Sequence, residues 1–176
     1  MFKLTRASQP ADLDDFLAAR GYGAEAVTSV QVADLSDSGE PATARCGFAG
    51  APTDTWLDDV SRLNAIAERD RHTLRAIVER ISLPAGFATL RDGGRAVACG
   101  LGVVQDEWLG LYDIVTDPAM RGRGHGRQLV QDLLAWGRGQ GARRAYLLVM
   151  ADNTPALRLH AGAGFAEVYK YWYRVK

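Results

Sequence analysis

The sequence predicts an α+β domain in which helices cover a central β-sheet. Its 176 residues suit one compact domain, and a hydrophobic content of 47% is ordinary for a globular protein. Apolar side chains recur at helical spacing in some segments and alternate or run continuously in others. From residue 56 onward the predicted order is helices, three antiparallel strands, helix, strand, helix and strand, which is typical of a layered α+β domain.

The first 40 residues predict a strand, a helix and a second strand, at 2–5, 10–20 and 27–35, followed by a loop at 36–41. The order strand, helix, Gly-aromatic pair, strand recurs at 144–175. We therefore expect residues 1–40 to form a β-α-β extension of a main domain at 41–176. It is either a degenerate remnant of a second copy of the fold or an extra layer on the sheet, and coincidence between two ordinary β-α-β units is the alternative.

The middle of the chain predicts two helices and then a β-rich block. Helical spacing runs from 56 to 81, and the polar stretch 68–72 is the expected break. A hairpin follows at 87–91 and 95–104 around Asp92-Gly93-Gly94, and a third strand follows at 108–116. After a glycine-rich loop and a helix, the apolar run 144–151 fits a buried strand. A short helix capped by Asn153 and a strand at 168–175 end the domain.

The glycine-rich loop at 117–127 joins a strand to a helix and contains Arg121, Arg123 and Arg127. Free N–H groups at a helix N-terminus form an anion site, because the helix dipole adds positive potential there. Glycines let the backbone approach an anion closely, and the arginines add fixed positive charge. The loop therefore predicts a phosphate or diphosphate site.

Two common nucleotide motifs do not fit this loop. The third glycine comes one residue too early for Gly-x-Gly-x-x-Gly, and the preceding strand follows a meander instead of opening a βαβ unit. A P-loop requires Gly-Lys-Ser/Thr, which the sequence lacks. Both the dinucleotide and the ATP interpretations are excluded.

Two motifs resemble those of the GNAT acetyltransferases. Arg121, Gly124 and Gly126 fit Arg/Gln-x-x-Gly-x-Gly/Ala. Downstream, Asn-x-x-Ala-x-x-Leu is followed by an acid position and Gly-Phe; the residues are Asn153, Ala156, Leu159, His160 and Gly164-Phe165. The resemblance covers about residues 53 to 176. It implies a GNAT fold, with a mixed, mostly antiparallel sheet flanked by helices and two strands splayed at an acyl-CoA notch.

The resemblance also implies acetyl-CoA as co-substrate, bound where the strands at 111–116 and 146–151 separate. Strand backbone would pair with the pantetheine arm, and one N–H would polarise the thioester carbonyl like an oxyanion hole. The diphosphate would lie on the N–H groups of residues 122–127. The expected cofactor-binding residues are Ile114, Val115, Thr116, Arg121, Gly122, Arg123, Gly124, His125, Gly126, Arg127, Asn153 and Ala156.

The implied reaction is direct attack of a primary amine on the thioester, which needs a general base and a general acid. The acid position, usually Tyr in this family, is His160 here, which could donate a proton or could merely pack near the cofactor. Some members place Glu where this chain has Leu148. We expect His160 and Asp113 as the catalytic pair.

Asp113 is the only carboxylate within 108–116, and strand alternation predicts that it faces away from Tyr112 and Ile114. It could act as the base directly or through water, anchor the substrate amine, or serve a structural hydrogen bond. His72 and Glu107 are less favoured bases.

Composition limits the partners. Lys plus Arg and Asp plus Glu both number 21, which argues against nucleic acid and against a charged-tRNA acceptor. No apolar run reaches the length of a membrane span, and the isolated Cys46 and Cys99 suggest a reducing, cytoplasmic setting. We expect a small-molecule or peptide amine as acceptor, and dimerisation through the N-terminal segment is open. A non-catalytic acyl-CoA sensor is the alternative function.

Overall fold

The computed structural model describes residues 1–36 and 44–176. Its elements, in chain order, are β1 (Phe2–Thr5), α1 (Leu13–Ala18), β2 (Gly23–Asp34), β3 (Cys46–Ala49), α2 (Asp54–Leu63), α3 (Glu68–Val78), β4 (Ala85–Asp92), β5 (Arg95–Gln105), β6 (Trp108–Thr116), a 3₁₀ turn (Pro118–Met120), α4 (His125–Gly139), β7 (Arg144–Met150), α5 (Thr154–Ala161) and β8 (Ala166–Val175). Among the described helices, none has the length and apolar character needed to span a bilayer.

The chain divides into two compact units. One comprises residues 1–33 and 146–176, and the other comprises residues 34–145. Most of the predicted loop at 36–41, and the predicted boundary between 1–40 and 41–176, lie outside the described residues. The division into an extension and a main domain therefore stays a prediction.

The unit of residues 34–145 is an antiparallel sheet, ordered β6-β5-β4-β3, between α2 and α4. On one face, the Trp56 ring of α2 meets Phe87 edge-on at 4.9 Å, and its Nε1 donates to the Ala88 carbonyl at 3.2 Å. On the other face, Gly86 and Gly102 lie under the Trp136 ring of α4. Because glycine has no side chain, α4 packs directly on the strands that precede the glycine-rich loop.

A buried carboxylate holds the outer strand of this unit. Asp132 on α4 is 3% exposed and accepts hydrogen bonds from the backbone N–H groups of Arg45 and Cys46, at 2.9 and 2.8 Å. Its other oxygen accepts from Gln128 Nε2 at 2.8 Å. Buried polar groups need partners, so Asp132 both anchors β3 and is itself satisfied.

The unit of residues 1–33 and 146–176 has the strand order β1-β8-β2-β7. β2 therefore lies between β8 and β7, and the N-terminal segment supplies two of the four strands. Asp14 of α1 accepts hydrogen bonds from Trp172 Nε1 at 2.8 Å and from Arg174 Nε at 2.7 Å, which ties α1 to β8. The origin of the segment as a remnant of a second fold copy stays a hypothesis.

Several element bounds differ from the prediction. The break between α2 and α3 lies at 64–67, where Ala65 has a φ of +52°, and the polar stretch 68–72 instead opens α3. That stretch contains Glu68, Arg69 and Arg71, and both residue types are good helix formers. α1 begins at Leu13, so Pro10 precedes the helix, and β2 begins four residues earlier than predicted.

Candidate functional site

The glycine-rich loop has the backbone that a close anion contact requires. Gly122 and Gly124 have φ angles of +76° and +83°, and a Cβ on either would meet no atom of the described residues within 4 Å. Only the left-handed backbone conformation, which glycine adopts without steric cost, restricts these positions to glycine. Arg121, Arg123 and Arg127 are all exposed beside this turn.

Among the described residues, no side chain caps the N-terminus of α4. Gly124 is the N-cap residue, and the first helical hydrogen bond runs from the Gln128 N–H to the Gly124 carbonyl. The N–H groups of Gly124, His125, Gly126 and Arg127 therefore have no partner within the helix. The His125 side chain is buried and its Nε2 has no hydrogen-bond partner among the described residues, so we expect His125 to contribute through its backbone.

β6 contains a bulge next to the loop. Cys99 pairs with Val115 and Leu101 with Tyr112, so Asp113 and Ile114 stand opposite Gly100 alone. Asp113 has a φ of +51°, which is uncommon for a residue other than glycine. A bulge removes residues from the regular hydrogen-bond ladder and redirects the backbone. It lies among the residues expected to contact the pantetheine arm and the thioester.

Because of the bulge, the prediction that Asp113 faces away from both Tyr112 and Ile114 is wrong. Tyr112 pairs with Leu101, which belongs to the core under α2, whereas the Ile114 side chain lies above Gly100 beside Leu133 of α4. Tyr112 and Ile114 therefore lie on opposite faces, not on one face. The extra residue of the bulge breaks the alternation from which the direction of Asp113 was predicted.

Asp113 is an exposed residue, but desolvation of its carboxyl by the surrounding protein still raises the pKa of that group. A raised pKa makes a carboxylate a stronger base, which suits proton removal from an ammonium group. The other carboxylate considered, Glu107, lies at the opposite end of β6 from the loop and pairs with Arg143 at 3.1 Å. His72 is exposed on α3.

The second motif lies on α5. Asn153 is the N-cap of this helix, and its Oδ1 accepts from the Ala156 N–H at 3.3 Å. His160 is 5% exposed, meets the Phe165 ring at 5.8 Å, and has a buried Nδ1 with no partner among the described residues. Burial lowers the pKa of His160, so the ring is neutral at pH 7 and can donate only its single N–H.

A polar cavity of about 360 Å³ lies at the turn between α2 and α3. It is lined by Asp58, Ser61, Arg62, Ala65, Ile66, Glu68 and Arg71. Ser61 is 7% exposed and its Oγ has no hydrogen-bond partner among the described residues. Arg71 forms ion pairs with Asp58 and Glu68. Nothing in the sequence pattern pointed to this cavity, because it depends on a helix break that was predicted in the wrong place.

The family model of the acetyltransferase (GNAT) family matches residues 52–165. The chain belongs to the GNAT acetyltransferase family. The match names an acetyl group as what the family transfers, and it leaves the acceptor unnamed.

Two curated relatives and one solved structure are also acetyltransferases. The chain is 28% identical over 179 residues to the uncharacterized N-acetyltransferase YobR of Bacillus subtilis, covering 99% of this chain and 72% of YobR. It is 42% identical over 67 residues to the N-alpha-acetyltransferase RimI of Mycobacterium tuberculosis, covering 37% of this chain and 40% of RimI. A GCN5-related N-acetyltransferase from Sphaerobacter thermophilus superposes with a TM-score of 0.67 at 22% identity, covering 97% of this chain and 57% of that one, and it shares the GNAT fold.

The expected site residues divide between the two units. Those of β6, the loop and α4 lie in the unit of residues 34–145, whereas Asn153, Ala156 and His160 lie in the other. The notch expected between β6 and β7, and the roles assigned to the individual residues, stay predictions.

Proposed function

We propose that this GNAT protein transfers an acetyl group from acetyl-CoA to the primary amine of a small molecule or peptide. The observation that carries the proposal is the uncapped N-terminus of α4, with two left-handed glycines at the turn before it and three exposed arginines around it. Backbone N–H groups and fixed cations in this arrangement suit a diphosphate. Family membership makes CoA the natural source of that diphosphate.

In the proposed reaction, the acceptor nitrogen attacks the thioester carbon while a backbone N–H of the β6 bulge stabilises the charge on the oxygen. The C–N bond forms, the C–S bond breaks, and CoA leaves as a thiolate. The amine proton passes to a base, and the thiolate takes a proton from an acid or from water. No covalent bond to the protein is needed.

The structural observations favour a catalytic role for Asp113 more than for His160. The raised pKa of Asp113 and its place in the bulge favour a role as base, directly or through water. His160 can act as acid only through a neutral N–H, because burial lowers its pKa and removes the imidazolium at neutral pH. We therefore expect its catalytic contribution to be smaller than that of Asp113.

The cavity at the α2–α3 turn is the proposed acceptor site. Asp58 and Glu68 both pair with Arg71, and an ammonium group could share these carboxylates with it, while the buried Ser61 hydroxyl suits a further polar group of the ligand. Arg62 and Arg71 line the same space, so a ligand that carries both an amine and an acidic group would match its charges. These features favour a polar amine such as an amino acid derivative or a peptide.

A non-catalytic acyl-CoA sensor is the second candidate. The buried, neutral His160 favours it, because the chain then lacks a strong general acid. A sensor would bind acetyl-CoA without consuming it in the presence of any amine.

The test is release of free CoA thiol from acetyl-CoA in a library of amino acids, peptides and simple amines, with the acetylated product identified by mass spectrometry. Release that depends on one amine class, and that falls by about 10² or more in Asp113→Ala, supports the proposal. Tight acetyl-CoA binding without turnover on any amine would support the sensor instead. Failure to bind acetyl-CoA would exclude both.

A further inference from the structure

The root of the glycine-rich loop is a buried carboxylate. Asp117 follows β6 directly, and its side chain is 7% exposed. Its Oδ1 accepts from the Ala119 N–H at 3.0 Å, and its own N–H donates to the Val97 carbonyl at 2.8 Å. Asp117 thus fixes both where the strand ends and how the chain turns toward Arg121.

Two arginines from outside the loop pair with this carboxylate. Arg95 of β5 places Nη2 2.8 Å from Asp117 Oδ2, and Arg62 of α2 places Nη1 3.7 Å from the same oxygen. Arg62 also donates from Nη2 to the Ala96 carbonyl at 2.8 Å and lies 3.4 Å from Asp59. Its guanidinium therefore joins α2 to the strand and loop through several bonds at once.

The pairing of Asp117 with Arg62 and Arg95 affects the charge that a ligand of the loop meets. The exposed arginines of the loop attract a polyanion, and an uncompensated carboxylate at the root of the loop would repel it. A buried carboxylate is also costly unless it is paired. Arg62 and Arg95 neutralise Asp117, which leaves the loop arginines free for the diphosphate.

Arg62 also lines the cavity at the α2–α3 turn. One residue therefore borders the proposed acceptor site and contacts the root of the diphosphate loop. A ligand group that shifts the Arg62 guanidinium would also change how firmly Asp117 is held.

We propose that Arg62 is a positioning residue for the co-substrate, which holds the diphosphate loop in its binding conformation through the buried Asp117. The inference rests on the proposed function, because it takes the ligand of the loop to be acetyl-CoA. Arg62 acts through Asp117 and need not touch the co-substrate.

The test compares CoA binding by Arg62→Ala and by a matched control, Arg91→Ala, using calorimetry. Arg91 belongs to the same ion-pair group, since it lies 2.7 Å from Asp59, and both arginine side chains are 41% exposed. Among the described residues Arg91 contacts Asp59 and Gly94 but not Asp117, so its loss should leave the Kd for CoA within about twofold of the parent. Arg62→Ala should raise that Kd by about fivefold or more.

Three further readouts separate positioning from general destabilisation. Binding of pantetheine, which lacks the diphosphate, should be unchanged in Arg62→Ala when followed by ligand-observed NMR. Arg62→Lys should recover part of the affinity, because it keeps the charge but not the fork of donors. In an Asp117→Asn background, Arg62→Ala should cause no additional loss, because the partner through which it acts is gone.

Equal effects of Arg62→Ala and Arg91→Ala on CoA binding would overturn the inference, as would additive losses in the Asp117→Asn background. If Arg62→Ala folds poorly by circular dichroism, Arg62→Lys is compared with the parent instead. A higher Kd for CoA in Arg62→Lys then supports the inference, and an equal Kd overturns it. If the parent itself fails to bind CoA, the proposed function fails and this inference fails with it. If the parent binds CoA and Arg62→Ala binds equally well, only this inference fails.

Discussion

Replacing Asp132 with alanine should detach β3 from α4. The substitution removes the acceptor for the Arg45 and Cys46 N–H groups, and an orphaned N–H costs about 1–3 kcal/mol when it is buried. Because β3 is the outer strand of its unit and Arg45 is exposed, water should replace part of the loss. We therefore expect the free energy of unfolding to fall by about 2–4 kcal/mol.

Urea unfolding followed by circular dichroism measures this change, and hydrogen exchange locates it. The amide protons of Arg45 and Cys46 should lose protection in Asp132→Ala, whereas those of β5 should keep theirs. Asp132→Asn keeps one amide oxygen as acceptor, so it should lose about half as much stability. A change below about 0.5 kcal/mol for Asp132→Ala, within the range of ordinary surface substitutions, would refute the reasoning.

Two more predictions concern packing and pH. In Gly86→Ala the new Cβ would come within 2.7 Å of the Trp136 ring, so we expect a loss of about 1–3 kcal/mol and a Tm lower by about 3–10 °C. In Gly50→Ala the new Cβ would meet no atom of the described residues within 4 Å, so this variant should melt like the parent. Equal Tm values for the two variants would contradict this prediction. Since burial lowers the pKa of His160 in the folded state, the unfolded chain binds more protons, and the free energy of unfolding should fall as the pH drops below about 6.5. Urea titrations at several pH values should show a flatter dependence in His160→Gln than in the parent, and an unchanged slope would contradict the assignment.

The sequence predicted the features of this protein that local patterns encode. The order of elements from α2 onward, the Asp92-Gly93-Gly94 turn, the Asn153 cap and the glycine-rich loop all follow from spacing and turn chemistry within a few residues. The family could be recognised for the same reason, because its two motifs are short and contiguous.

The features that were missed depend on contacts between distant segments. The bulge at Asp113 arises from the pairing of β6 with β5, and a strand pattern read alone cannot show one extra residue. The ion pair between Arg62 and Asp117 joins residues 55 positions apart, and the placement of β2 between β8 and β7 joins the two ends of the chain. The burial of His160 likewise follows from packing that the motif does not encode.

The central claim is that acetyl-CoA binds at the N-terminus of α4, and a calorimetric titration tests it most directly. The parent protein should bind acetyl-CoA, and a variant with Arg121→Ala and Arg123→Ala should lose most of that affinity. A control with Arg69→Ala and Arg143→Ala removes the same charge from two sites that are 87% and 72% exposed, and it should bind like the parent. Absence of binding by the parent, or equal weakening in both double variants, would contradict the assignment of the loop as the diphosphate site.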